Sequence, residues 1–239
     1  MTGQNLVPSA DHVLLNEDFM FACRDYSYLV NHGYPERGAI KLVGDRYRLN
    51  RDQRTVLYRG ISSEERSARR RSFLVHDIKN RSVAVDGYNV LFSLLNYRLG
   101  RFIFISTDNI MRDAGSLHGK FRDDITFADC VVLMVKFLAS MQPASADIFL
   151  DSPVSHSERH AQVIHDLLAA HNLKGSCQVI RSADFALKHF PYERLATSDT
   201  VIIERAASPV IDLPRMILEQ QYKAEFVKIS ELLLPCSKD

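Results

Sequence analysis

The chain has 239 residues, of which 46% are hydrophobic and 25% are charged, close to the average composition of a globular protein. This composition excludes a disordered chain, a collagen-like chain and a coiled-coil rod. The formal net charge is +1, so the overall charge identifies no partner, and a nucleic-acid surface would have to come from local clustering of basic residues.

The cellular compartment is predicted from the amino terminus, the apolar runs and the cysteines. The first residues lack a basic stretch followed by an apolar core, so we expect no signal peptide. The longest strongly apolar run, residues 130–135, is much shorter than the about 20 residues of a membrane span, so we expect no membrane partner. The four cysteines are widely spaced and form no CxxC pair, which predicts reduced thiols and a cytoplasmic protein.

Residues 1–80 are predicted to form a small, basic and mainly helical domain. Apolar residues from Phe19 to Val30 recur at i, i+3, i+4 and i+7, which predicts an amphipathic helix over residues 18–30. Residues 39–49 could form either a second short helix with a turn or a small hairpin. Residues 63–71 are typical of a capped, strongly basic helix.

A local excess of positive charge lies between residues 37 and 71, where 11 Lys or Arg residues face four Asp or Glu residues. Arginines neutralise phosphates and the interleaved Tyr47 and Tyr58 could stack on bases, which would suit single-stranded RNA. The alternative is a solvated helix face, or arginines that pair with acidic residues of the second region. The candidate nucleic-acid contacts are Arg46, Arg48, Arg69, Arg70 and Arg71, with Lys120 and Arg122 in a later glycine-containing loop.

Residues 81–239 are predicted to form a second domain of the α/β class, with a mostly parallel sheet flanked by helices, because short apolar runs alternate with helical segments. The predicted strands are residues 83–85, 102–105, 146–150, 176–180, 194–197 and 209–211. The predicted helices are residues 88–98, 126–141, 155–171, 200–207 and 214–222. In such sheets ligands bind beyond the carboxyl ends of the strands.

Aspartates follow several of these predicted strands. The carboxyl ends of parallel strands share one sheet edge, so these carboxylates should converge, and crowded carboxylates are stabilised by a cation. Oxygen ligands without Cys or His suit Mg²⁺ or Mn²⁺, which can activate water for phosphodiester cleavage. The predicted metal ligands are Asp86, Asp151 and Asp199, with Asp212 and Asp113 as further candidates. The alternative at each single position is a helix N-cap.

The segment after Asp151 is rich in hydroxyl side chains and leads into a predicted helix. Ser152, Ser155 and Ser157 could bind a phosphate at the amino end of that helix, where backbone N–H groups favour anions. Alternatively, Ser155 or Ser157 only caps the helix.

Two runs in the second region resemble PIN-like and NYN nucleases. Val83-Ala-Val-Asp-Gly-Tyr-Asn-Val-Leu resembles their opening strand, in which V-D-G-x-N carries a metal-binding aspartate. Ala196-Thr-Ser-Asp-Thr-Val-Ile-Ile resembles their later S-D segment. The resemblance implies a PIN-like fold and a metal-dependent ribonuclease.

The same resemblance implies which residues would take part in catalysis. Asp86, Asp151 and Asp199 would be catalytic metal ligands, and Asn89 would orient a ligand or the scissile phosphate. No clear acidic residue matches the second acidic position of these nucleases, for which Asp113 is our candidate.

The run from Asn31 to Leu49 resembles the start of a prokaryotic family known as domain of unknown function 434, which implies no activity. The sequence therefore predicts a Mg²⁺- or Mn²⁺-dependent ribonuclease with a basic amino-terminal module. The alternative is a non-catalytic RNA- or nucleotide-binding protein that retains the PIN-like fold. No G-x-x-x-x-G-K-[ST], G-x-G-x-x-G or G-x-S-x-G motif is present, so NTPase, dinucleotide oxidoreductase and serine hydrolase functions lose their main signals.

Overall fold

A computed structural model describes residues 14–114, 125–181, 185–187 and 191–234. Its helices are α1 (Glu17–Asn31), α2 (Glu36–Arg46), α3 (Arg51–Gly60), α4 (Glu64–Ser72), α5 (Gly87–Arg98), α6 (Ile125–Ser140), α7 (Ser157–Ala170), α8 (Thr200–Arg205), α9 (Leu213–Tyr222) and α10 (Ile229–Leu232). Its strands are β1 (Ser82–Asp86), β2 (Ile103–Ile105), β3 (Met111–Asp113), β4 (Ser145–Asp151), β5 (Gly175–Ile180), β6 (Arg194–Ala196), β7 (Val210–Ile211) and β8 (Val227–Lys228).

The chain forms two compact units, and neither is a single continuous stretch. The first unit combines Met1–Arg71, Asn96–Leu117 and Glu225–Asp239, and the second combines Ser72–Leu95 and His118–Ala224. The division at residue 80 stays a prediction. No helix in the described parts of the chain is long and apolar enough to span a bilayer.

The first unit begins with four helices. The Asn16 side chain starts α1 by accepting a hydrogen bond from the Phe19 N–H, and α1 buries the predicted apolar face. Residues 36–46 form helix α2, so the helical alternative is confirmed over the hairpin. Helix α3 was not predicted, and Asn50 and Gln53 start it with a reciprocal capping box. The predicted basic helix at residues 63–71 is confirmed as α4.

A three-stranded sheet completes the first unit, with β2 between β3 and β8. The prediction that residues 102–105 belong to the main parallel sheet was wrong. The chain turns back directly after β2, where the Ser106 N–H donates to the Ile110 carbonyl at 3.0 Å, and β3 therefore pairs antiparallel. Strand β8 pairs with β2 in parallel.

The turn between β2 and β3 holds a fully buried carboxylate, Asp108. Arg112 donates to both of its oxygens, at 2.7 and 2.8 Å, Arg70 donates to Oδ2 at 3.1 Å, and the Ser106 hydroxyl donates to Oδ1 at 2.5 Å. Burial alone would raise the pKa of Asp108, but the charges and hydrogen bonds of Arg112, Ser106 and Arg70 lower it to about 2.

The second unit is built on a five-stranded sheet in the order β5-β4-β1-β6-β7, in which every pair is parallel. Helices flank this sheet, and the predicted α/β class is confirmed. One apolar cluster of this unit includes Ala84, Phe149, Leu195 and Ile202, from strands β1, β4 and β6 and helix α8.

Gly87 allows helix α5 to begin against β4. A Cβ at this position would lie 2.5 Å from Leu150 Cδ2 and 3.0 Å from the Phe149 carbonyl oxygen. Any side chain would therefore push the start of α5, and the preceding Asp86, away from the sheet.

The buried Asp108 cluster predicts a strong effect of Asp108→Asn. This change leaves two buried guanidinium groups short of their counter-charge, and we expect a loss of roughly 3–5 kcal/mol in the free energy of unfolding at pH 7. Part of this loss depends on pH: because the carboxyl pKa is about 2 in the folded chain and about 3.9 in an unfolded one, the stability that comes from ionisation of Asp108 is present above about pH 4 and is lost as the pH falls towards 2.

Urea titration by circular dichroism at several pH values measures this effect. Asp45→Asn is the matched control, because the Asp45 ion pairs with Lys41 and Arg54 are exposed and screened by solvent, and it should leave the stability close to that of the wild type. Equal losses in both variants would contradict a structural role for Asp108.

Candidate functional site at the carboxyl edge of the parallel sheet

Four adjacent strands of the second unit end in or lead directly to an aspartate. β4 ends at Asp151, β1 ends at Asp86, β6 leads through Thr197 and Ser198 to Asp199, and β7 leads to Asp212. Because the strands are parallel, all four positions lie along the same edge of the sheet, as the sequence predicts.

Asp86 lies in the middle of this row and is 6% exposed. The Thr197 hydroxyl donates a 3.0 Å hydrogen bond to Asp86 Oδ2, and the Asn89 backbone N–H also binds the Asp86 carboxylate. The same Thr197 oxygen accepts from the Asp199 N–H at 3.1 Å. Thr197 therefore connects the ends of β1 and β6.

The Asp86 carboxyl has a raised pKa. Burial, together with the negative charges of Asp151 and Asp199, raises its pKa to about 7, against the lowering effect of the hydrogen bond from Thr197. The charges of Asp151 and Asp199 thus act on the pKa of Asp86, and these are the three residues that the sequence singles out.

Asp199 also caps helix α8. Its Oδ1 accepts from the Val201 and Ile202 N–H groups at 2.7 and 3.2 Å. The N-cap alternative therefore holds for Asp199, and the cap bonds use Oδ1 alone. Asp212 similarly caps α9, because its Oδ1 accepts a 3.4 Å hydrogen bond from the Arg215 N–H.

Asn89 positions the loop after β6. Its side-chain oxygen accepts from both the N–H and the hydroxyl of Ser198, each at 2.9 Å. This oxygen is therefore occupied within the protein, and its role in the structure is to hold Ser198 beside the start of α5.

The donor set at this edge consists of carboxylate and hydroxyl oxygens, which suits Mg²⁺ or Mn²⁺. Across the described residues, no three Asp, Glu, His or Cys side chains form a group that could by itself hold a metal ion. Mg²⁺ is commonly bound by one or two carboxylates together with water and substrate phosphate, so Asp86 and Asp151 fit a site of that kind.

Asp113 belongs to the first unit, where it ends strand β3. It is buried, and Arg59 donates to its side-chain Oδ1 at 3.2 Å and to its backbone carbonyl at 2.9 Å. An ion pair thus explains this acidic residue without a metal.

The predicted nucleic-acid contacts differ in their exposure. Arg70 is 4% exposed and forms an ion pair with Asp108, so it cannot contact an RNA backbone. The prediction that Arg70 is a nucleic-acid contact was therefore wrong. Arg71 donates to Glu64 and to the Thr107 carbonyl, and Arg46 lies 3.7 Å from Asp25. Arg48 and Arg69 are exposed, and Lys120 and Arg122 lie outside the described residues.

The serine-rich loop after β4 differs from its predicted geometry. Helix α7 begins at Ser157, and its N-cap is His156, in a left-handed conformation with φ 65° and without a side-chain cap bond. Neither Ser155 nor Ser157 is therefore the cap. Ser157 is buried, whereas Ser152 and Ser155 are exposed, so only the latter two are accessible to a phosphate from solvent.

The polar partners of the acidic residues were not predicted from the sequence. Thr197 and Ser198 hold Asp86 and Asn89, and the signal that could have found them is a pair of hydroxyl residues directly after a strand. Tyr88 was also missed, and its hydroxyl lies 2.9 Å from Nδ1 of the buried His160.

The fold and the site define an α/β protein with an acidic edge on a parallel sheet. The profile of a family described as a domain of unknown function, DUF5616, matches residues 75–216, more than half of the chain, and the chain belongs to this family. The profile of a second family, described as a protein of unknown function, DUF434, matches residues 19–72 and confirms the resemblance of the amino-terminal region.

A relative is found in the archaeon Methanocaldococcus jannaschii, the uncharacterized protein MJ0935. It is 30% identical over 185 residues, which cover 77% of this chain and 88% of the relative. No solved structure gives a significant match.

The raised pKa of Asp86 predicts that Asp86→Asn stabilises the metal-free protein at high pH. In the folded chain the Asp86 carboxyl stays protonated up to about pH 7, whereas in an unfolded chain it ionises near pH 4. The free energy of unfolding therefore decreases as the pH rises between these two values. We expect the variant to be more stable than the wild type at pH 8, by on the order of 1–4 kcal/mol, and equally stable at pH 4.

Urea unfolding in EDTA at both pH values tests this expectation. Asp166→Asn is the control, because Asp166 is exposed on α7, and it should stay within about 0.5 kcal/mol of the wild type. An Asp86→Asn variant that is less stable than the wild type at pH 8 would refute the buried, proton-binding carboxyl.

Proposed function

We propose that this protein is a Mg²⁺- or Mn²⁺-dependent ribonuclease of the PIN-like type that hydrolyses phosphodiester bonds of single-stranded RNA in the cytoplasm. The observation that supports the proposal is the buried Asp86 carboxyl, whose pKa is raised by burial and by the charges of Asp151 and Asp199. A concentration of negative charge at a sheet edge is what a divalent cation neutralises.

Asp86 and Asp151 would hold the cation, and Asp199 would hold one of its water ligands. Water and a substrate phosphate would supply the remaining ligands. Mg²⁺ is usually bound in this way, by one or two carboxylates and not by protein ligands alone. When bound, such an ion lowers the pKa of water and offsets the charge that develops on the phosphate.

The chain's own residues would prepare this site. The hydrogen bonds from Thr197 and from the Asn89 N–H favour the ionised form of Asp86, which is the form that binds a cation. Asn89 would act as a positioning residue, because its side chain holds Ser198 and thereby the loop that carries Thr197 and Asp199.

Asp86→Asn should abolish cleavage of single-stranded RNA. The neutral amide is a poor ligand, so we expect the Mn²⁺-stimulated rate to fall at least about 100-fold. The measurement is the initial cleavage rate of a fluorescently labelled RNA oligonucleotide at pH 7.5 with Mn²⁺, with Mg²⁺ and with EDTA.

Asp166→Asn is again the matched control and should cleave at the wild-type rate. Mn²⁺ should raise the melting temperature of the wild type but not of Asp86→Asn, because a ligand that binds only the folded state stabilises it. Equal Mn²⁺-stimulated rates in the wild type and Asp86→Asn would remove the proposal.

A non-catalytic RNA- or nucleotide-binding protein is the second candidate function. It is favoured by the finding that no three acidic, His or Cys side chains of the described segments make a metal-binding group, and by the ion pair that occupies Asp113. In the same experiment this function predicts salt-sensitive RNA binding without cleavage in any divalent metal.

A further inference from the structure

A cleft of about 640 Å³ lies within the first unit, away from the residues of the proposed nuclease site in sequence. It is lined by the carboxyl end of α1, the amino ends of α2 and α4, and one residue of α3. Its size is within the range of small-molecule binding sites.

Two exposed aromatic rings line the cleft. Tyr34 precedes α2 and is 56% exposed, and Tyr58 lies on α3 and is 48% exposed. Exposed tyrosines offer flat apolar surfaces, on which the bases of single-stranded nucleic acids stack.

The amino end of helix α2 also opens into the cleft. Its N-cap, Pro35, provides no side-chain hydrogen bond, and the first intrahelical bonds to the Pro35 carbonyl come from Gly38 and Ala39. The preceding N–H groups of Glu36 and Arg37 are therefore available, and a helix of 11 residues adds its dipole. The exposed Arg37 side chain brings positive charge to the same place.

A second and independent observation comes from the Tyr26 hydroxyl. Tyr26 is fully buried, and its hydroxyl has no hydrogen-bond partner in the described part of the chain. The charged or polar groups that act on it are Glu36, Tyr58 and Arg66, and all three line the cleft. Burial and the charge of Glu36 raise its pKa, so it remains a neutral O–H donor.

An unpaired hydroxyl in a protein interior is unfavourable, and a ligand group or an ordered water is the usual explanation. Two of the groups that act on the Tyr26 hydroxyl, Arg66 and Glu36, form an ion pair with each other. Tyr26 is not itself among the residues that line the cleft, but Glu36, Tyr58 and Arg66 are, so the cleft is the side from which a polar group would approach its hydroxyl.

The charges of the cleft limit the chemistry of its ligand. It has two basic side chains, Arg37 and Arg66, and two acidic ones, Glu36 and Glu65. A simple anion or cation would meet groups of both signs, whereas a nucleotide has a negative phosphate for Arg37 and base N–H donors for a carboxylate such as Glu65.

We propose that this cleft binds a nucleoside phosphate, with the base against Tyr34 and Tyr58 and the phosphate at the amino end of α2 beside Arg37. The ligand is either a free nucleotide or one nucleotide of a single-stranded RNA. The proposal does not depend on cleavage at Asp86.

Isothermal titration calorimetry with the full chain tests the proposal. EDTA in the buffer prevents metal-dependent cleavage, so failure of this site is distinguishable from failure of the nuclease. The probes are the four ribonucleoside 5′-monophosphates and a 5′-phosphorylated single-stranded RNA of about ten nucleotides. Equal affinity for a monophosphate and the RNA supports a free nucleotide, whereas much tighter RNA binding supports an RNA chain.

Three variants locate the binding to the cleft. Tyr34→Ala should weaken binding roughly 5- to 100-fold, because it removes a stacking surface. Arg37→Ala should weaken binding and reduce its dependence on salt. Tyr26→Phe removes only the buried hydroxyl and should also weaken binding.

Arg51→Ala is the matched control, because Arg51 is an exposed arginine at the start of α3 that does not line the cleft, and it should bind as the wild type does. The substituted residues Tyr34 and Arg37 are exposed, and circular dichroism checks that all variants fold. The proposal is overturned if no probe gives saturable binding, or if Tyr34→Ala and Arg37→Ala bind as tightly as Arg51→Ala.

Discussion

The second unit depends on hydrogen bonds that join two neighbouring strand ends of its parallel sheet. Thr197 binds the Asp86 carboxylate, and Ser198 binds the Asn89 side chain. These contacts hold the chain after β6 against the start of α5, and they keep a carboxyl group buried where two other carboxylates act on it. The acidic edge is therefore a product of the sheet order, which puts β1 between β4 and β6.

The sequence predicted those parts of the fold that have a strong local pattern. Helix α1 has a regular apolar face, and strand β1 is an apolar run that ends at Asp86 and Gly87, so both were found. Helix α3 was missed because its buried face depends on Val56 and Leu57 within a basic segment. Strands of two or three residues, such as β3 and β8, have too few residues to show a period of two.

For the candidate site, the sequence predicted the acidic residues but not their partners. The position of Asp86 follows from a strand end and a glycine, whereas its bond to Thr197 joins residues 111 positions apart and needs the sheet order. The sequence also could not predict which arginines of the basic segment are buried, because Arg70 lies in a run of three identical residues. Only the folded chain distinguishes Arg70, which neutralises Asp108, from arginines that face solvent.

The apolar core of the first unit has a consequence for dissecting this protein. Phe19, Tyr26 and Leu57 from the helices pack in one cluster with Phe104 and Ile229, which come from much later in the chain. A fragment that stops at residue 72, where the DUF434 match ends, would retain the four helices and lose the side chains that cover them. A fragment that contains only the DUF434 match would therefore expose apolar surface and tend to aggregate. A fragment that represents the first unit must include all three of its chain segments.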